Sequence, residues 1–319
     1  MAEVGNLARA RALGDDPGVA KELPTAALLG LVTEAKIADL LGESPTGRYE
    51  ASGVVRRDDV SYVVFDNMPH IGKVASLTAG AEQNVLLNQN GRLGYEDIAH
   101  DPVTDHFFAL TEASPRGKGF MAKIHEYDGE FRHLSSDWMD FPLETANTGM
   151  EGLTCVSLAS KLYLLAVCEG NRCRGEDAGR EPGGGRIQVF ERRRHGWGHV
   201  ATIRLPAKLP FRDFSSVAVS GQRIAVLSQE SAALWLGTLR TPGWEVVDEG
   251  VIYRFPVDEE GRTAYGNAEG VTWLSADRVV VVSDRVKDDQ HRRSRAKDES
   301  IHVFMIPAAP SREPAVMSR

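Results

Sequence analysis

Apolar positions in this chain come in short runs and not in helical stripes. Five runs recur: Tyr62-Val63-Val64-Phe65, Phe107-Phe108-Ala109-Leu110, Leu164-Leu165-Ala166-Val167, Ile224-Ala225-Val226-Leu227 and Val279-Val280-Val281-Val282. Each ends in a polar cluster, respectively Asp66-Asn67, Thr111-Glu112, Cys168-Glu169, Gln229-Glu230 and Asp284-Arg285. Runs of that length, bounded by turn residues, predict buried strands. A further strand-like run closes most units: Met121–His125, Arg186–Phe190, Ala233–Leu236 and Ile301–Phe304.

A four-residue phrase precedes each run. It reads Ser52-Gly53-Val54-Val55, Glu96-Asp97-Ile98-Ala99, Glu151-Gly152-Leu153-Thr154, Ser215-Ser216-Val217-Ala218 and Glu269-Gly270-Val271-Thr272, at intervals of 44, 55, 64 and 54 residues. An oxygen-bearing side chain comes first, a small or short polar residue second, a branched apolar residue third. Repeats of this length point to a propeller or solenoid. Each unit reads as a meander of three or four antiparallel strands, so the expected fold is all-β, a five-bladed β-propeller. The last unit meets Pro307, Pro310 and Pro314 after its third strand. A strand from within Ala27–Leu41 is therefore expected to complete it and remove an exposed edge. The expected organisation is a flexible segment over 1–24, one propeller over 25–307 and a flexible tail over 308–319.

Composition narrows the function classes. With 42% apolar residues, the 319-residue chain can bury a large core. Its net charge of −8 argues against a general nucleic-acid binder, which needs clustered Lys and Arg. No apolar run reaches 18 residues and the first 25 hold no signal-peptide core, so neither a membrane partner nor export is expected. Three cysteines, Cys155, Cys168 and Cys173, are too few for a disulfide framework. A Cys168–Cys173 pair or a metal role stays open, but free thiols in the cytoplasm are the expectation. The Gly-rich insertion 171–185 lacks the Lys-Ser/Thr of a phosphate loop and is expected to be a flexible connection.

In a propeller the first strand of each blade lines the central channel. The phrase-opening residues Ser52, Glu96, Glu151, Ser215 and Glu269 are then expected to ring one mouth. The second-strand ends lie on the same face, among them Asp66, Asn67, Glu112, Glu169, Asn171, Glu230 and Arg285. Three ring carboxylates facing one channel repel unless protonated, paired or bridged by a cation. Oxygen-only donors suit Ca²⁺, and the absence of His and Cys from these positions argues against zinc. Alternatively, acidic openers bond backbone N–H groups and only fix the geometry of the blade.

Inner-strand openers in the order Ser, Glu, Glu, Ser, Glu resemble those of the calcium-activated nucleotidases (apyrases). That resemblance implies a central Ca²⁺ held by Ser52, Glu96, Glu151, Ser215 and Glu269. The family's Asp-Asp-Arg-Thr-Gly corresponds here to Phe65-Asp66-Asn67-Met68-Pro69, with only the acid kept. The Glu-Gly-Leu/Val and Asp-Phe-Ser-Ser-Val-Ala phrases also look like those of phytase-like bacterial propellers.

The chemistry expected at such a mouth is hydrolysis of a phosphate ester or phosphoanhydride on a small molecule. Glu112, Glu169 and Asp66 are the candidate bases. Arg285, with Arg172 or Arg174, is the candidate phosphate partner. Asn67, His70, Asn171 and Glu230 are further candidate substrate contacts. Two alternatives remain, a metal-assisted lyase, isomerase or cyclase of a small metabolite, and a non-catalytic binding or scaffold propeller.

Overall fold

The apolar runs become strands whose buried faces can only be covered by neighbouring sheets. This is visible in a computed structural model that describes residues 26–87, 94–117, 119–145, 149–286 and 292–308. The expected N-terminal segment 1–24 and the tail beyond residue 308 lie outside the described residues. Strands make up 55% of the structure and helices 6%, which makes the fold all-β.

The chain opens with β1 (Ala27–Leu28), β2 (Gly30–Lys36) and the one-turn helix α1 (Ile37–Leu41), which buries Ile37 and Leu40. A first meander follows: β3 (Ala51–Arg57), β4 (Val60–Phe65), β5 (Met68–Val74) and β6 (Val85–Leu87). The second contains β7 (Asp97–Asp101), β8 (His106–Arg116), β9 (Gly119–Tyr127) and β10 (His133–Asp140). The third contains β11 (Met150–Leu158), β12 (Lys161–Cys168), β13 (Arg186–Arg193) and β14 (Gly196–Arg204). Between β12 and β13 lies α2 (Glu176–Gly179). The second and third meanders join at their outer edges, where β10 and β14 pair in parallel over two residues.

The fourth unit is β15 (Ser216–Ser220), β16 (Arg223–Ser228), β17 (Ala233–Arg240), β18 (Glu245–Val246) and β19 (Val251–Arg254), with β1 on the outer edge of β19. The fifth is β20 (Ala268–Trp273), β21 (Arg278–Ser283) and β22 (Ser300–Met305). Strand β2 pairs antiparallel with β22, from Gly30 opposite Met305 to Lys36 opposite Ser300.

The innermost strands touch in a cycle: β3 with β7, β7 with β11, β11 with β15, β15 with β20, and β20 with β3. Apolar cores fill the spaces between successive sheets. Tyr62, Val64 and Ile71 meet Ile98, Phe107 and Ala109. Val63 and Phe65 meet Val280, Val282 and Ile301. Burial of this kind contributes about 25 cal/mol per Å² of apolar surface and is the main force holding sheet to sheet.

Two expectations change here. Cys168 and Cys173 are not free thiols: they form a disulfide with Cα atoms 5.1 Å apart, because the chain doubles back within five residues of the end of β12. A disulfide belongs to oxidising compartments, so the cysteines give no support to a cytoplasmic address. The 171–185 insertion is also more than a bare connection. Its Asn171 is fully buried, and its amide group bonds Gly179 O, Phe211 O and the Gly184 N–H. Among the described residues no helix is long and apolar enough to cross a membrane.

Candidate functional site at the acidic mouth

Each phrase opener stands outside the regular strand ladder. Ser52, Glu151 and Glu269 are the extra residues of β-bulges, where the pairing register shifts between Ala51 and Gly53, Met150 and Gly152, and Ala268 and Gly270. Glu96 and Ser215 lie immediately before β7 and β15. A bulge re-aims one side chain without disturbing the rest of the strand. All five openers line one cavity of about 160 Å³.

The rest of that wall comes mostly from strand ends. Asp66, Glu169, Gln229 and Asp284 directly follow β4, β12, β16 and β21. Glu50 and Asp213 approach from the segments before β3 and β15. The wall therefore carries eight carboxylates, and no Lys, Arg or His lines it among the described residues. Glu112, at a bulge in β8, stands beside it. Oxygens of Glu112, Glu151 and Glu169 lie within 4.8 Å of one another.

Such crowding alters the acids. Burial, with Glu112, Asp66 and Glu169 nearby, pushes the Glu96 carboxyl up to about 8. Burial, then Glu96 and Glu112, pushes Glu151 well above the usual carboxylate range. Burial also raises Glu112, although the Gly149 N–H donates to its Oε1 at 2.8 Å and Glu151 shares a hydrogen bond with it. Asp213 is raised by burial too, against hydrogen bonds from Ser228 Oγ and the Glu230 N–H. Gln229 donates to Glu269. The two serines stitch neighbouring units: Ser52 Oγ donates to Tyr95 O, and Ser215 Oγ to Ala268 O at 3.3 Å. Their lone pairs remain acceptors.

This donor set fits a hard divalent cation. Carboxylate and hydroxyl oxygens converge there, whereas no His or Cys lines the wall among the described residues.

The other sequence-derived candidates separate from this group. Arg285 is not in the cavity wall; its carbonyl accepts from Asn267. Asn67 donates to Thr46 Oγ1 and Arg48 O, which turns it toward the segment before β3. His70 lies within β5, away from the wall. Asn171 is the loop staple described above and has no amide group left for a substrate. Arg172 is exposed and pairs with Glu181 at 3.1 Å. Arg174 and Glu230 line a neighbouring groove of about 330 Å³ with Arg180 and Arg212, and this groove shares Glu169, Asp213 and Gln229 with the mouth. Glu230 holds Arg180 at 2.8 Å and Arg212 at 3.8 Å. Sequence reasoning missed Glu50 and Asp213 as wall residues. The available signal was position, since each stands two residues before a phrase opener.

The second phrase position was also underestimated. Gly53, Asp97, Gly152, Ser216 and Gly270 meet where the inner strands converge. A Cβ on Gly53 would lie 2.4 Å from Asp97 Oδ1, and one on Gly152 would lie 2.5 Å from the Ser216 Cα. Only three hydrogen-sized side chains plus one Asp and one Ser fit there. Below them a wider cavity of about 680 Å³ opens at the far end, with Val54, Ile98, Leu153, Val217 and Val271, the third phrase residues, in its wall.

No protein-family profile and no curated protein sequence matches the chain. Solved structures share its fold. The glutaminyl cyclase of Myxococcus xanthus superposes with a TM-score of 0.53 at 11% identity, over 88% of this chain and 97% of that one. A GH43 β-xylosidase/α-arabinofuranosidase from a compost microbial metagenome gives 0.50 at 9% identity, over 86% and 94%. A GH43 enzyme from Xanthomonas citri, solved with xylotriose, gives 0.50 at 11% identity, over 86% and 89%. At these identities the likeness is one of fold, of the propeller type.

Proposed function

We propose that the chain is a five-bladed propeller closed by β2, and that its mouth seats Ca²⁺ for hydrolysis of a phosphate ester or phosphoanhydride on a small molecule. The blade reading is supported by the cyclic contacts of β3, β7, β11, β15 and β20 and by the β2–β22 pairing. The functional reading rests on one observation, eight carboxylates and two serine hydroxyls around a cavity of about 160 Å³. The openers that an apyrase-like or phytase-like propeller would use for its ion are all in that wall.

Ser52, Glu96, Glu151, Ser215 and Glu269 would hold the ion, with Glu112 and Glu169 adjoining. When bound, Ca²⁺ supplies an electrophile for a phosphoryl oxygen and an orienting charge for water. The carboxylates of Asp66 and Glu169, at the strand ends, are suited to take the proton from that water. Arg174 stands in the groove that shares Glu169 with the mouth and is suited to meet the rest of an anionic substrate.

Phosphate release from a panel of nucleotides and phosphate esters, with and without EGTA, tests this. Turnover that EGTA abolishes and Ca²⁺ restores is expected; no calcium-dependent turnover on any substrate overturns it. A metal-assisted lyase, isomerase or cyclase is the second reading. It is favoured by the pairing of both Arg180 and Arg212 with Glu230, which weakens the groove as a phosphate site. Stoichiometric Ca²⁺ without phosphate release would select it.

A further inference from the structure

The inner strands are joined at the axis by two side chains. Asp97 is 1% exposed and Ser216 is fully buried. Asp97 accepts from the Ile98 N–H at 2.8 Å, the Leu153 N–H at 2.9 Å and Ser216 Oγ at 2.9 Å, and also from the Val54 N–H. Ser216 Oγ in turn accepts from the Val271 N–H at 3.1 Å. Those partners lie on β3, β7, β11, β15 and β20. Two side chains therefore connect all five inner strands.

Ser216 Oγ accepts from the Val271 N–H and donates to Asp97. The groups bonded to Asp97 are donors, so its oxygens serve as acceptors for partners on β3, β7, β11 and β15. Each joined strand carries a mouth residue nearby. Asp97 directly follows Glu96, and Ser216 directly follows Ser215. The bonded amides of Val54, Leu153 and Val271 lie two residues after Ser52, Glu151 and Glu269.

We infer that Asp97 and Ser216 are positioning residues, a hydrogen-bonded clasp at the axis that sets the separation of the five mouth residues for a hard divalent cation. The inference rests on the reading of the mouth as a cation site. Partners that orient metal ligands without touching the metal typically change affinity 10- to 100-fold when removed.

Calorimetric titration with Ca²⁺ alone, on metal-stripped full-length protein, tests it. Ser216→Ala leaves the Asp97 side chain in place and cuts the links to Asp97 and Val271. Asp97→Asn keeps the shape and replaces an acceptor by a donor. Val226→Ala, in the buried face of β16, is a control for lost stability alone, checked by melting in EGTA. Expected is a loss of Ca²⁺ affinity of about 10- to 100-fold in both clasp variants, with Val226→Ala within threefold of wild type (an order-of-magnitude bound). Wild-type affinity in both clasp variants overturns the inference and leaves the cation site standing. Equal losses in all three reduce the clasp to general stability and also overturn it. No Ca²⁺ binding by the wild type overturns the cation site and the clasp together.

Discussion

Two carboxylate networks in this protein are built in opposite ways. Where β2 pairs with β22, Glu34 meets His302 Nδ1 at 3.0 Å, and Lys297 and Tyr265 also bond it. The His302 hydrogen bond, helped by Lys297, holds Glu34 down at about 2 against the cost of burial. An ionised Glu34 only accepts, so His302 donates from Nδ1 and its Nε2 accepts from Ser283 Oγ at 3.0 Å. The atom order is that of a Ser–His–acid nucleophile. Ser283 is 2% exposed, however, and the set acts as a buried tie between β2, β22 and β21. At the mouth, burial and like charges push Glu96 to about 8. In the β2–β22 network a cationic side chain, Lys297, bonds the acid itself. At the mouth Arg48 pairs with Glu50, while burial and neighbouring acids dominate at Glu96 and Glu151.

The largest expected break is Glu151→Gln. It removes one of the proposed ligands and should lower Ca²⁺ affinity by about 100-fold or more, since ligand charge sets affinity at such sites. In EGTA the same variant should melt higher than wild type at alkaline pH, because it has no carboxyl to ionise beside Glu96 and Glu112. A lower metal-free Tm would contradict the unbalanced mouth.

Glu34→Ala is the mirror experiment. It leaves the His302 N–H and the Lys297 charge without their acceptor and should cost about 2 kcal/mol, with Ca²⁺ affinity unchanged. Denaturant melts and a titration measure both arms.

The pH dependence of the metal-free protein should have two limbs of opposite sign. Glu34 is held below its unfolded value of 4.5, so its contribution is complete above 4.5 and lost as pH falls toward about 2. Glu96 is raised from 4.5 to about 8, so its contribution is complete below 4.5 and lost as pH rises through about 8. Melting in EGTA across pH 2–9 should show both limbs (the window follows from these two shifts), with Ca²⁺ flattening only the upper one. An unchanged upper limb in Glu96→Gln would assign it elsewhere.

The smallest expected effect is Arg172→Ala. Its partner Glu181 and Arg172 itself are both exposed, so stability and Ca²⁺ affinity should stay within about 0.5 kcal/mol of wild type. A large loss of turnover would return Arg172 to the site.

Much of this contrast was legible in the residue pattern. The five runs became β4, β8, β12, β16 and β21, and the five phrase openers all reached one cavity. The expectation was weakest where a side chain's direction depends on a distant strand. Asn67, His70 and Arg285 follow or neighbour the right strand ends, yet Asn67 bonds Thr46 and Arg48, the Arg285 carbonyl accepts from Asn267, and His70 lies within β5 outside the cavity wall. Asn171 sits near the mouth in sequence and is consumed by Gly179, Phe211 and Gly184.

What the sequence determined by itself is the set of strand-forming runs and the order of the phrase: an oxygen first, a small residue second, a branched apolar one third. Short apolar runs and turn residues act within a few residues of the chain, so they can be read locally. Only the tertiary structure decided what those positions do together. Glu96, Glu151 and Glu269 share one cavity, and Asp97 bonds Leu153 and Ser216 across 56 and 119 residues. Convergence at an axis depends on how successive sheets pack, and no local preference along a single strand encodes that distance.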